Sequence, residues 1–242
     1  MGFVLFTHYF MHNAPCDNRQ YFGITTKQVS MMKAVIFDFD GTLTELTLDF
    51  GFLKEEIIKV ALQYAPVDIV RSSEDHFIIE MIYRIAKLME TQGPEFQKEA
   101  FNRLTSLELE ASKGKDVYSY TRTVLAGLKK KNIKAGIITR TSRKVLRQVF
   151  PDMNGYVHTA VTREDIRELK PNPAHVIEAL RFLGAFPEEA MVAGDHPTDI
   201  QAGTALNMKT VGVLSGRTNE KAFQEANATF IFKDIRGIMD IV

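Results

Sequence analysis

The run Ala34-Val35-Ile36-Phe37 is apolar at every position and passes directly into Asp38-Phe39-Asp40-Gly41-Thr42. A strand with one face in water alternates apolar and polar residues. A strand without alternation is covered on both faces, which is the condition of a parallel sheet lying between helices. Similar short runs recur at 133–138, 190–193 and 210–214, with a further edge strand expected at 228–232. Helix-length amphipathic stretches at 119–131, 142–150, 173–183 and 197–206 separate or follow them. Two of these stretches have chemically marked starts. Asn172 is a natural cap before Pro173, and Pro197 suits a first helical position because its missing N–H needs no partner there. The expected fold class is α/β, a Rossmann-like doubly wound parallel sheet.

Residues 47–116 break this rhythm, since nothing there reads as a strand. Phe50, Leu53, Ile57, Val60 and Tyr64 recur at three-to-four spacing, as do Ile78, Met81, Ile82, Ile85 and Met89, and again Phe96, Ala100, Leu104, Leu107 and Ala111. These are the stripes of packed helices. Ser72 with Asp75 suggests a capped start for the second, and Gly93-Pro94 divides the second from the third. The expected organisation is an all-helical cap at 47–116 inserted after the first strand of a core formed by 33–46 and 117–242. Residues 1–32 show no sustained period and are expected to be a flexible extension. His8 and His12 stand four apart there without a third ligand, so they are read as solvated.

The chain has 242 residues and 45% hydrophobic content, enough for a sizeable core. Thirty basic residues balance thirty acidic ones, so no global field draws in nucleic acid or an anionic membrane. No apolar run approaches a membrane span, and the opening MGFVLFTHYF lacks the basic segment of a secretory signal. Cys16 is the single cysteine and cannot form an intrachain disulfide. A cytoplasmic protein without nucleic-acid or membrane partners is expected.

Asp38 and Asp40 follow a buried strand, at the end of an α/β sheet where ligands bind. Taken alone, such a pair also serves a solvated turn. A second pair, in Gly194-Asp195-His196-Pro197-Thr198-Asp199, ends another apolar run. Two strand ends delivering carboxylates into one crevice make an oxygen-rich site of the kind that favours Mg2+. Thr139 ends the run at 133–138, and Lys170 lies in Lys170-Pro171-Asn172-Pro173. A hydroxyl, backbone amides and an ammonium are what a phosphoryl group needs.

These four ordered pieces resemble the haloacid dehalogenase-like superfamily, over residue 33 to the C-terminus. The stretch GDHPTDIQAG followed by MKTVGV is similar to its phosphoglycolate-phosphatase-like members. The resemblance implies Asp38 as nucleophile and Asp40 as general acid and base. It implies Mg2+ held by Asp38, the carbonyl of Asp40 and Asp195, with Asp199 either ligating it or orienting a metal-bound water, and the phosphoryl oxygens on Thr139 and Lys170. The activity implied is a Mg2+-dependent phosphatase acting on a small phosphorylated metabolite, phosphoglycolate first. A phosphomutase acting on a sugar phosphate and a non-catalytic binding protein are the alternatives.

Two positions depart from the commonest pattern of the group. His196 stands where serine or threonine is frequent and is expected to pack as a neutral ring. Arg140 stands where asparagine is frequent and is a candidate substrate contact, with Arg143 beside it. Glu45, Asp49 and Phe50 are further candidate contacts. The segment 47–116 carries nine basic and thirteen acidic residues, no platform for a polyanion. A monomer or homodimer is expected.

Overall fold

The computed structural model describes residues 31–242. The expectations on residues 1–30, including the extension and the two histidines, lie outside the described residues. Six strands, β1 (Ala34–Phe37), β2 (Lys134–Ile138), β3 (Thr159–Val161), β4 (Ala190–Gly194), β5 (Lys209–Val213) and β6 (Phe230–Phe232), form one sheet in the order β3-β2-β1-β4-β5-β6. All pairings are parallel. The strand order reverses beside β1, so the C-terminal ends of β1, β2 and β4 border one crevice, where such sheets bind ligands. β1 is fully buried, as its lack of alternation demands. The two cover layers of apolar side chains divide by strand parity: Val35 and Phe37 join one buried cluster, Ala34 and Ile36 the other.

The helices of the sheet are α5 (Thr121–Lys130), α6 (Arg143–Val149), α7 (Ala174–Leu183), α8 (Pro197–Thr204) and α9 (Glu220–Glu225). Their starts follow sequence chemistry. Ser142 caps α6 by accepting from Val145 N at 3.3 Å. At α7 the cap position is Pro173, one residue after the expected Asn172, yet Asn172 Oδ1 still accepts from Ala174 N at 2.9 Å. Pro197 opens α8 as expected.

Between β1 and α5 the described chain is helical: α1 (Phe50–Ala61), α2 (Val67–Arg71), α3 (Ile78–Leu88) and α4 (Gly93–Ala111). They bury a cluster of their own, with Leu53, Ile57, Ile82, Ile85, Phe96 and Leu104 at its centre. One capping expectation is corrected. Ser72 ends α2 rather than starting α3, and its hydroxyl donates back to Ile69 O at 2.9 Å. Two arginines tie this helical unit to the sheet: Arg140 pairs with Glu80 of α3, and Arg163 with Glu108 of α4.

Candidate active site

Asp38 is the first residue after β1, and its N–H donates to Ala193 O at 2.8 Å, which continues the pairing to β4. One carboxylate oxygen, Oδ1, takes a hydrogen bond from Lys170 Nζ, and Oδ2 accepts from Thr42 Oγ1 at 3.3 Å. Two residues on, Asp40 Oδ2 accepts from Thr141 Oγ1 at 2.5 Å. The turn that follows needs Gly41, whose φ is +87° and whose missing Cβ leaves room for the Asp195 carboxylate. Ser215 Oγ donates to Gly41 O at 2.7 Å, and Tyr118 Oη to Ser215 O at 3.1 Å, bracing that turn from two other segments.

Thr139 follows β2, its N–H donating to Val161 O at 3.0 Å and its Oγ1 accepting from Thr141 N at 3.0 Å. Asp195 follows β4. Asp199 sits in the first turn of α8, where its Oδ2 accepts from His196 N at 3.0 Å. Lys170 lies on the loop before α7, with Nζ 2.6 Å from Asp199 Oδ1. Asp38, Asp40, Thr139, Arg140, Lys170, Asp195 and Asp199 all line one cavity of about 660 Å3. Four chain segments that are far apart in sequence therefore converge on it.

The electrostatics of the cavity are those of an anionic cluster with one buried cation. Burial raises Asp195 and Asp199 above the ordinary carboxylate range, and the charge of Asp38 adds to this in both; Lys170 works against it. Burial also raises Asp40, against the hydrogen bond from Thr141. Burial pulls the Lys170 ammonium down, but Asp199 and Asp38 more than offset it and hold it above its ordinary value. Carboxylate oxygens of Asp38, Asp195 and Asp199 lie within 4.8 Å of one another. Three buried acids around one ammonium leave net negative charge, and an all-oxygen donor set suits a hard divalent cation. These residues fit Mg2+.

His175 holds the lysine loop. The ring is fully buried; Nδ1 accepts from Lys170 N at 3.3 Å and Nε2 donates to Val161 O at 3.1 Å. Burial, with the Lys170 charge beside it, lowers its pKa to about 4, so the ring is neutral near pH 7.

Other sequence candidates are placed differently. Arg140 reaches the cavity, but Nη1 donates to Lys170 O at 2.8 Å, Nη2 pairs with Glu80, and the guanidinium lies 4.8 Å from the Phe77 ring centroid. It is engaged in joining α3 to the lysine loop. Arg143 pairs with Asp165, away from this cavity. His196 lines it but is exposed rather than packed, since as the cap of α8 it accepts from Thr198 N at 3.3 Å. Phe50 lines the wall. Glu45 and Asp49 are not among the lining residues, and Asp49 caps α1 by accepting from Phe52 N at 3.0 Å.

Sequence inspection passes over Glu108, which lines the cavity from α4. Its signal lies in the stripe Phe96, Ala100, Leu104, where the next step of four is an acid in an apolar register.

The haloacid dehalogenase-like hydrolase family model matches residues 35–213. The chain belongs to that family. Among its relatives, a candidate pyrophosphatase PpaX of Clostridium perfringens is 30% identical over 218 residues, spanning 88% of this chain and 98% of that one. Phosphoglycolate phosphatase of Aquifex aeolicus is 27% identical over 191 residues, spanning 76% of this chain and 86% of that one. The crystal structure of beta-phosphoglucomutase from Clostridium difficile superposes with a TM-score of 0.59 at 19% identity, covering 86% of this chain and 93% of that one. Among the described residues no helix is long and apolar enough to cross a membrane.

Proposed function

We propose that the protein is a Mg2+-dependent phosphatase of small phosphate esters, working through an aspartyl-phosphate. In this reading 33–46 and 117–242 form the catalytic core and 47–116 the cap over it. The observation that carries it is the convergence of Asp38, Asp40, Thr139, Lys170, Asp195 and Asp199 on one cavity.

Asp38 attacks phosphorus through a carboxylate oxygen as the bond to the leaving oxygen breaks. Asp40, its proton affinity raised by burial and its carboxyl fixed by Thr141, gives a proton to that leaving oxygen. In the second step Asp40 takes a proton from water, which attacks phosphorus and releases phosphate and free Asp38. Lys170, held above its ordinary pKa, remains cationic and offsets charge on Asp38 and on the phosphoryl oxygens. Thr139 supplies a hydroxyl to those oxygens. Asp38, Asp195 and Asp199 supply the carboxylates for Mg2+, with the carbonyl of Asp40 as the family resemblance implies. When bound, Mg2+ offsets the negative charge that would otherwise keep an anionic nucleophile from a phosphate.

The test is phosphate release from a panel of small esters, with Mg2+ and with chelator. Phosphoglycolate and pyrophosphate belong on it because relatives carry those names. Turnover is expected to depend on Mg2+ and to fall at least a thousandfold in Asp38→Asn, since removal of a covalent nucleophile leaves only binding and charge stabilisation. An Asp38→Asn protein that releases phosphate at the wild-type rate defeats the mechanism.

A further inference from the structure

The cavity is acidic where the motifs meet, and two further cations reach it along the start of α1. Lys54 stands one turn after Phe50 on that helix, and Phe50, Leu53 and Lys54 share a face that lines the cavity. Arg217 comes from the loop after β5, at the end of the sheet where the motifs converge. That loop is seated against the site. Ser215 Oγ donates to Gly41 O at 2.7 Å, and the missing Cβ of Gly216 leaves room for the Asp195 carboxylate. Arg217 follows directly and lines the cavity, with Nη2 donating to Leu48 O at 3.0 Å. Leu48 comes two residues before α1, and the helix advances about 6 Å from Phe50 to Lys54.

Both cations are placed by neutral acceptors and keep their charge. Lys54 Nζ donates to Glu74 O and Arg217 to Leu48 O, both backbone carbonyls. An ammonium has three N–H donors and a guanidinium five, so most of that capacity is left over. Among the described residues neither forms an ion pair with a carboxylate. The other two basic side chains of the cavity are committed, Lys170 to Asp38 and Asp199 and Arg140 to Glu80. Asp75 lines the cavity next in sequence to the Glu74 contact, so two cations stand there against one acid. An ionised oxygen suits such a pair, since charge-assisted hydrogen bonds are about twice as strong as those to neutral acceptors.

We propose that Lys54 and Arg217 together bind a second anionic group, a carboxylate or a phosphate, carried on the substrate's leaving group. The phosphoryl group that is transferred stays with Lys170 and Thr139, while the second anion lies against the start of α1. The preferred substrates are then small phosphate compounds with two anionic ends, not phosphate esters of neutral alcohols or of amino alcohols. This rests on the phosphatase reading and narrows its substrate class.

The test measures kcat/KM of the full-length protein with Mg2+ for phosphoglycolate, pyrophosphate, isobutyl phosphate and phosphoethanolamine. Isobutyl phosphate repeats the branched shape of phosphoglycolate without its charge, and phosphoethanolamine reverses the charge. The wild type is expected to prefer phosphoglycolate, pyrophosphate or both over isobutyl phosphate by about tenfold or more, the range that charge-assisted hydrogen bonds supply. Phosphoethanolamine should be no better than isobutyl phosphate. The two anionic substrates distinguish carboxylate from phosphate recognition. Lys54→Met and Arg217→Met keep an aliphatic stem and remove the charge, so each should lower the anion preference about fivefold or more. Comparing a variant's ratio with the wild-type ratio cancels the intrinsic reactivity of the leaving groups and the fraction of protein that is folded. Absence of an anion preference in the wild type overturns the assignment, as do a preference for phosphoethanolamine and a fall of less than fivefold in either variant. Failure of every substrate to give Asp38-dependent release defeats the phosphatase reading and this assignment with it. Release without an anion preference, or with one that either variant leaves intact, defeats the assignment alone.

Discussion

His175 illustrates how a residue outside the chemistry sets its geometry. The ring uses both nitrogens, one toward the backbone of Lys170 and one toward the end of β3, and only the neutral tautomer with the proton on Nε2 satisfies both. Protonation would set a donor against the Lys170 N–H and place a cation beside the Lys170 ammonium. In the unfolded chain a histidine titrates near 6.5, whereas here burial depresses it to about 4. Below 6.5 the unfolded state takes up the proton and the folded state does not. This residue therefore makes stability fall as pH drops from about 6.5 toward 4 and contributes nothing to pH dependence above that window. The shift corresponds to about 3 kcal/mol at the acid end, to order of magnitude. Denaturant melts at pH 7 and pH 4.5 should show a smaller acid loss in His175→Gln than in the wild type, although the variant starts less stable. Equal acid losses in the two proteins would remove the histidine from the account.

At the scale of elements, legibility followed the strength of local pattern. β1, β2, β4 and β5 were readable because they are buried apolar runs of four or five residues bounded by polar ones. β3 was not, because Thr159-Ala160-Val161 is a three-residue edge strand with two partly exposed positions and no run to detect. α2 and α9, of five and six residues, are too short to display a period. Arg163 escaped notice for the same reason as β3, since it lies just past a strand that has no signal. Asp38, Asp40, Thr139 and Asp195 were legible because they follow strands and Asp199 because it lies in the first turn of a helix, while Lys170, on the loop before α7, was legible only through its motif; Glu108 and His175 lie within helices and show their neighbours only in three dimensions. The stripes of the helical unit did identify its core. Phe96 is fully buried there, with its ring centroid 5.9 Å from that of Tyr64. Phe96→Ala should cost about 3–5 kcal/mol of unfolding free energy through lost transfer and cavity terms. Chemical denaturation checks this, and a loss below about 1 kcal/mol would mean that the helices repack around the gap.

For the whole molecule, zero net charge conceals a concentration of like charge. Three strand and helix ends carry Asp38, Asp195 and Asp199 to within 4.8 Å, and Lys170 is the buried cation among them. Folding alone brings these acids together; the unfolded chain keeps them far apart in sequence and in water. A cation that binds the assembled cluster therefore binds the folded state and scarcely the unfolded one. Such binding adds stability of RT ln(1 + [L]/Kd), about 2.7 kcal/mol at a hundredfold excess over Kd. If the cluster holds Mg2+ as proposed above, the same convergence ties stability to that ion. Mg2+ should raise the thermal midpoint of the wild type by several degrees, increasing with the logarithm of concentration once above Kd, and chelator should reverse it. Asp195→Asn removes one carboxylate charge while nearly preserving shape, so the variant should lose most of that increment and yet match or exceed the wild type in chelator, where the repulsion it relieves is uncompensated. Thermal melts of both proteins across a Mg2+ series decide the matter. An increment of equal size in the two would place the ion elsewhere on the chain, and no increment in either would separate the carboxylate cluster from metal binding altogether.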